Sequence, residues 1–434
     1  MSLTVVGIMG IVFLMLILFV LGTPVSFAMA IVGFAGFCYI TSFDAGLNMT
    51  GSVLWGTFSS YGLTVIPLFI FMGQVAFHSG INQKLYDAAY KCIGHIYGGL
   101  AMATIAACSA FAAICGSNTA TAATMTTVAY PEMKKYKYNP KLSLGAIAAG
   151  STLGVVIPPS VVLIVIGLST EQSITRLFYG GIGAGVSLSL LMIATIYVIC
   201  KIKPAWGPIG PKSSAKERLK SIAGTYEMVL LFCLVIFGLY FGVFTPAEAG
   251  AVGSFFAVLI GVMQKKLSFK NLLSALRDTM RASCMVITIV AGAVMFGKFL
   301  AVTRIPYDIA EWAVALPVPK VVILLFIFTI YIIGGCIMDS LALLLITIPI
   351  FFPVAATLGY DPLWFGVVIT VITTLGAITP PVGATTYVVG AMAKDTSLKD
   401  VFKGVTFFIP AYIICVLLFM IFPKIITFLP NLVR

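Results

Sequence analysis

The stretch from Cys115 to Ser160 returns 222 positions later, and that repeat confines the chain to a fold built twice. Tyr130-Pro131 reappears as Phe352-Pro353, and Tyr138-Asn139-Pro140 as Tyr360-Asp361-Pro362. Thr152-Leu153-Gly154, followed by Pro158-Pro159, reappears as Thr374-Leu375-Gly376, followed by Pro380-Pro381. Thr23-Pro24 and Thr245-Pro246 keep the same offset. Five prolines and one glycine fall into register without a gap, which chance spacing does not produce. We read an internal duplication: a first repeat over 1–203, a linker over 204–221 and a second repeat over 222–434.

Charge sets the solvent in which these repeats fold. Only 9% of the residues are charged and 60% are hydrophobic, whereas soluble domains carry roughly 25% charged residues. The membrane class follows. Val5 to Leu21 and Val25 to Ile40 are nearly free of charge and approach the roughly 20 residues a bilayer requires. The first has no basic segment before it and no small-residue cleavage site after it, so it is expected to stay as an anchor. The formal charge of +12 lies between apolar segments, which argues against a nucleic-acid partner. Nine cysteines without a CxxC pair, and the isolated His78 and His95, give no transition-metal spacing.

Spans are expected near 4–21, 24–41, 63–78, 142–168, 174–200, 226–244, 246–263, 283–301, 363–392 and 402–422. Two further apolar stretches, 97–130 and 318–352, are interrupted at Gly116-Ser117-Asn118 and near Asp339. Each reads as a re-entrant helical hairpin whose second arm, about 13 residues, is too short to cross. With the N-terminus outside, 20 of the 26 basic residues fall on the inside, leaving Arg176, Lys298, Arg304, Lys320, Lys424 and Arg434 outside. The positive-inside rule then places both termini outside. Five spans precede the second repeat, so it enters the membrane inverted, as in secondary transporters with broken helices and midplane sites. Ser268 to Arg281 and its mate, about Gly46 to Ser60, read as helices along the membrane surface, and the 204–221 linker as a solvated connector.

A hairpin tip brings helix ends into the bilayer, where unpaired backbone groups must line a cavity or hold a ligand. Carbonyl ends suit a sodium ion and N–H ends a carboxylate. The sodium candidates are Ser117 and Asn118 at the first tip, Gly335 and Asp339 at the second, and Gly154, Thr373, Gly376 and Thr379 in the broken spans. The substrate candidates are Thr119, Thr152, Pro159, Ser160, Ser340, Pro381 and Thr385. A Pro-Pro pair cannot continue a helix, so 142–168 and 363–392 must each be broken. Asp339 is the sharpest candidate, because a carboxylate at membrane depth needs a partner, and a bound cation supplies one. Glu248, after Thr245-Pro246, reads instead as a helix-start carboxylate.

Enzymatic chemistry has no place here. An intramembrane aspartyl protease needs a second acid within a span, yet Asp44, Asp87, Asp308 and Asp361 all fall in loops or surface segments. A channel needs a continuous lined pore, which hairpins entering from opposite faces do not give.

With these residues in hand, the chain resembles the large, DctM-type membrane subunit of tripartite ATP-independent periplasmic (TRAP) transporters. The carrying motifs are GSNTATAA at 116–123, AAGSTLGVVIPPS at 148–160, MDSLALLLITIPIFFPV at 338–354, LGYDPLWFG at 358–366 and GAITPPVG at 376–383. Asn118 and Ser151 depart from the Gly-Ser-Ser and Ala-Ala-Gly-Gly that the family often carries there. The resemblance implies an all-α, elevator-type carrier of a bacterial inner membrane, driven by Na+ at the two hairpin tips and requiring no organic cofactor. It implies a periplasmic substrate-binding protein and a small four-helix membrane subunit as partners, the latter normally separate or fused ahead. No segment of that kind is legible, so a separate small subunit is expected. Among family members the likeness points to sialic acid as the organic acid. The alternatives are a C4-dicarboxylate or other carboxylate, or proton coupling on the same architecture.

Overall fold

The computed structural model describes residues 2–80, 82–210 and 212–432. Pro211 of the linker and Arg434 lie outside the described residues. No strand occurs among the described residues, and nine of their helices are long and apolar enough to cross a membrane. The protein is an all-α, multi-pass membrane protein.

The duplication is visible helix by helix. The second hairpin arms run Asn118–Lys135 and Ser340–Thr357, 222 positions apart at both ends. Each begins on a side chain that caps it: Ser117 Oγ accepts from the Ala120 N–H, and Asp339 Oδ2 from the Leu341 N–H at 3.0 Å. The broken spans start alike, on Asn139 and Asp361 as N-caps, with Pro140 and Pro362 in the first helical turn.

Both hairpins return to the face they leave. The first pairs arms Gly99–Cys115 and Asn118–Lys135, and at its open end the Leu100 N–H donates to the Tyr138 hydroxyl at 3.2 Å. In the second, between Lys320–Ile337 and Ser340–Thr357, Lys320 Nζ reaches the Leu358 carbonyl at 2.9 Å. The two open ends lie at opposite ends of one broken span. That span leaves the second hairpin at Pro362 and ends before Asp395, whose carboxylate is 2.6 Å from Lys134 of the first hairpin. The repeats are therefore inverted.

These hairpins, the broken spans Pro140–Thr170 and Pro362–Met392, and the helices Ile174–Ile202 and Ile409–Ile421 make an inner bundle. Against it stands a frame: Leu3–Leu21, Val25–Ile40, Val65–His78, Tyr226–Tyr240, Pro246–Met263 and Phe269–Thr303. Small residues set the frame's spacing; a Cβ on Gly33 would stand 2.7 Å from the Met295 and Phe296 backbone.

Several expectations are corrected. The second arms have 18 residues, against the 13 expected, because the helices run on through Pro131 and through Pro349 and Pro353. The surface segment at Ser268–Arg281 and the span at 283–301 are one helix of 35 residues. In the first repeat the corresponding helices, Phe43–Phe58 and Val65–His78, are separate, joined by the short turn Tyr61–Thr64. Helices Asn82–Ile93 and Ile305–Ala315, which lead into the two hairpins, went unforeseen, as did the C-terminal Lys424–Leu432. The linker is not simply solvated chain: it holds the helix Ala215–Ala223, closed by a Ser214–Glu217 capping box. The same device closes Pro246–Met263, with Glu248 bonded back to Thr245.

Candidate functional site

One cavity of about 430 Å³ lies between the two hairpin tips and the frame. Gly116 to Ala120 line it from the first tip, and Asp339, Ser340 and Leu341 from the second. Val155, Val161 and Val162 of the first broken span form a third wall. The frame closes it with Ile70 and Gln74 on Val65–His78 and with Ala282, Met285 and Val286 on Phe269–Thr303. Asp339 is the single charged side chain among these lining residues.

Local geometry explains why the tips point here. The first arm ends on Gly116 in the left-handed region (φ 63°), a conformation open to glycine at little cost, and the chain turns at Ser117 into the next helix. Carbonyl groups end one arm and N–H groups begin the next at the same place. The second tip turns at Met338-Asp339 in extended backbone.

Close backbone approach fixes each tip against its broken span. A Cβ on Gly154 would stand 2.6 Å from the Ser117 carbonyl oxygen, and one on Gly376 would stand 2.5 Å from Gly335 Cα. Gly335 in turn lies against the Thr373 carbonyl oxygen, 2.9 Å from where its Cβ would be. So Ser117 and Gly154 meet under the first tip, and Gly335, Thr373 and Gly376 meet under the second. Thr379 follows them, its N–H donating to the Gly376 carbonyl at 2.9 Å. The Thr373 and Thr379 hydroxyls donate to the Thr370 and Leu375 carbonyls, while the Ser117 carbonyl accepts from Thr121 and the Thr373 carbonyl from the Ala377 N–H.

The other candidates separate. Ser117, Asn118, Thr119, Asp339 and Ser340 all line the cavity. Ser340 is 2% exposed, and its hydroxyl has no hydrogen-bond partner among the described residues. Asn118 is committed elsewhere: Oδ1 accepts from the Thr119 N–H at 2.8 Å, and Nδ2 donates to Thr385 Oγ1 at 3.2 Å. Thr385 is thereby drawn to the first tip from behind, away from the cavity lining. Thr152 bonds the Ala149 carbonyl at 2.6 Å and meets the Tyr412 hydroxyl. Ser160 bonds the Val155 carbonyl and caps the helix that follows. Pro159 is buried, its carbonyl against Gly116, while Pro381 is exposed; neither lines the cavity. Sequence reasoning missed the whole frame wall. Its one polar member, Gln74, stands alone within an apolar span, a signal it could have used.

One carboxylate, the hydroxyls of Ser117, Thr119 and Ser340, and two helix starts face this one cavity, while Gly154, Gly335, Thr373 and Gly376 pack behind its lining. Residues 12–425 match the family described as the DctM component of the tripartite ATP-independent periplasmic transporter. The chain is 34% identical over 340 residues to the C4-dicarboxylate TRAP transporter large permease protein DctM of Pseudomonas aeruginosa, covering 78% of this chain and 79% of that one. It is 30% identical over 413 residues to the sialic acid TRAP transporter large permease protein SiaM of Vibrio cholerae, covering 95% of each. In fold it is similar to the crystal structure of the Alcanivorax borkumensis YdaH transporter, with a TM-score of 0.64 over 88% of this chain and 90% of that one, at 16% identity. The chain belongs to the DctM family, the large membrane subunits of TRAP transporters.

Proposed function

We propose that this subunit is the sodium-coupled carrier of an organic acid, working by movement of the inner bundle against the frame. The observation that carries the reading is the cavity shared by two inverted hairpin tips, with one carboxylate and no basic side chain in its lining. A lone carboxylate at membrane depth calls for a cation. Sodium is assigned to the helix carbonyl ends that come together near Ser117–Gly154 and near Gly335–Thr373–Gly376, where the backbones approach closely. The substrate carboxylate, with no lysine or arginine to meet, is received by the tip hydroxyls of Ser117, Thr119 and Ser340 and by the positive start of Asn118–Lys135, since Asp339 already caps Ser340–Thr357.

The family membership supports a periplasmic binding protein that delivers the substrate and a small four-helix membrane subunit beside this one. The basic-residue distribution supports an inner-membrane setting with both termini periplasmic and the Lys201–Lys220 loop in the cytoplasm. Sialic acid and C4-dicarboxylates, named for the two relatives above, are the substrates to test first.

The test is uptake into liposomes with the small subunit and binding protein supplied, under imposed sodium or proton gradients, with N-acetylneuraminate and succinate as probes. Uptake is expected to require sodium and to be sigmoidal in it. Full uptake driven by protons in sodium-free buffer would overturn sodium coupling and leave Asp339 as a proton site.

A further inference from the structure

The cavity is not built from the moving bundle alone. Its frame wall is apolar at Ile70, Ala282, Met285 and Val286, and polar only at Gln74. The Gln74 side chain is half-buried and bonds no described residue. Across the same cavity the Ser340 hydroxyl is buried and equally without a partner. A buried hydroxyl left unbonded costs about 1–3 kcal/mol, which a polar ligand between these walls would recover.

The place of Gln74 along the membrane is defined. His78, one turn further on, holds Asp278 at 3.0 Å, and its carbonyl accepts from Asn271 at 3.2 Å. The helix that follows leads to Gly94 and Gly98, which are bonded to Gly210 and Gly207 of the linker. Gln74 therefore lies about 6 Å from the linker-side end of its span. Ala282 lies one turn from Asp278, so the second frame helix reaches the cavity at the same level. The tips rest against the frame near the His78 end of Val65–His78, and displacement away from that end would carry them away from Gln74.

We infer that Gln74 is a substrate-contacting, specificity-determining residue supplied by the frame, and that its contact is made only when the cavity faces the linker side. The inference rests on the carrier function proposed above. An amide both donates and accepts, so it suits a hydroxyl, an acylamino group or a carboxylate oxygen of the solute. Being uncharged, it orients an anion without holding it against release.

The experiment measures half-saturation from each face in vesicles of defined orientation, with the partner subunits present and N-acetylneuraminate and succinate as probes. Gln74→Ala and Gln74→Glu are compared with wild type at equal incorporation and equal gel-filtration profile. For solute offered on the linker side, Gln74→Ala is expected to raise half-saturation about tenfold at nearly unchanged maximal rate, the worth of one hydrogen bond to a charged group. From the opposite face the value should stay near wild type. Gln74→Glu should weaken these anions further than Gln74→Ala does, and less so for the amide analogue of the same acid. Unchanged half-saturation in both variants, with wild type active, overturns the role of Gln74. An equal rise from both faces overturns its sidedness. Wild type inactive with both probes under both gradients overturns the carrier reading, and this inference with it.

Discussion

Lys84 Nζ stands 2.8 Å from Glu227 Oε1 and ties the helix entering the first hairpin to the opening frame helix of the other repeat. The same joint recurs on the opposite face, where Thr4 on the first frame helix donates to Asp308 before the second hairpin, also at 2.8 Å. Glu227 is 4% exposed and also accepts from Gln264, whereas the Lys84 side chain is one-third exposed. Removing one partner of a buried pair is costly because it strands the other. Glu227→Gln is expected to lower stability in detergent by about 1–3 kcal/mol, below the figure for a fully buried pair because water reaches Lys84. The double variant Lys84→Met, Glu227→Gln should recover part of that loss in thermal or denaturant unfolding.

Asp339 caps a helix and faces the cavity, and one substitution separates these tasks. Asparagine caps as well as aspartate does, so Asp339→Asn should fold and insert normally. Losing a direct charge contact with the proposed sodium ion should lower apparent sodium affinity by roughly an order of magnitude or more. Its repeat mate Ser117 carries no charge, and Ser117→Ala should be milder. Sodium titration of uptake at matched expression is the measurement; a wild-type sodium curve in Asp339→Asn would reduce the residue to a cap.

The glycines beneath the tips give a steric test. A methyl at Gly154 or Gly376 would press on backbone at 2.6 and 2.5 Å, which no rotamer change relieves. Gly154→Ala and Gly376→Ala should each cost about 1–3 kcal/mol by overpacking and suppress uptake. Gly51, inside Phe43–Phe58, has nothing within 4 Å of its Cβ position. Gly51→Ala should be neutral or gain up to about 1 kcal/mol, since alanine is the better helix former. Unfolding and uptake of the three variants, run together, settle it.

Outside the membrane spans, Asp395 supplies a pH dependence. The hydrogen bond from Lys134, helped by one from Tyr130, holds its carboxyl below the usual aspartate range. A carboxyl lowered on folding lends stability above its ordinary range, and loses it as pH falls toward the lowered value. Asp395→Asn should therefore flatten the acid limb of the stability-versus-pH profile and leave the neutral region nearly unchanged. A retained acid limb would assign that dependence to other carboxylates.

Much of this architecture is legible in the sequence, because prolines and glycines mark backbone breaks wherever they stand. The turns at Gly116 and Asp339, and the interruptions before Pro158-Pro159 and Pro380-Pro381, follow from that rule. The same rule misled at Pro131, where the helix runs four residues further, since one missing N–H bond is tolerated inside a packed bundle. Asn82–Ile93 was missed because its charges hide it from a search for apolar spans; Ile305–Ala315 carries Asp308 and Glu311 within one short turn pattern. The linker helix did announce itself, in Ser214 followed three residues later by Glu217. At the site, residues next to the breaks were legible, while those brought in by packing were not. Pro381 and Thr385 adjoin a break and still lie off the cavity, and Gln74 adjoins none and lines it.

The 35-residue helix Phe269–Thr303 is about 52 Å long, more than the full thickness of a bilayer. Its counterpart is jointed at Tyr61–Thr64. One half of the frame is a rigid mast and the other carries an elbow. Turning the molecule over in the membrane therefore does not reproduce it, despite its ancestry in two matching halves. For a bundle that moves as proposed, the two end positions meet frames of different shape and so differ in free energy with no gradient applied.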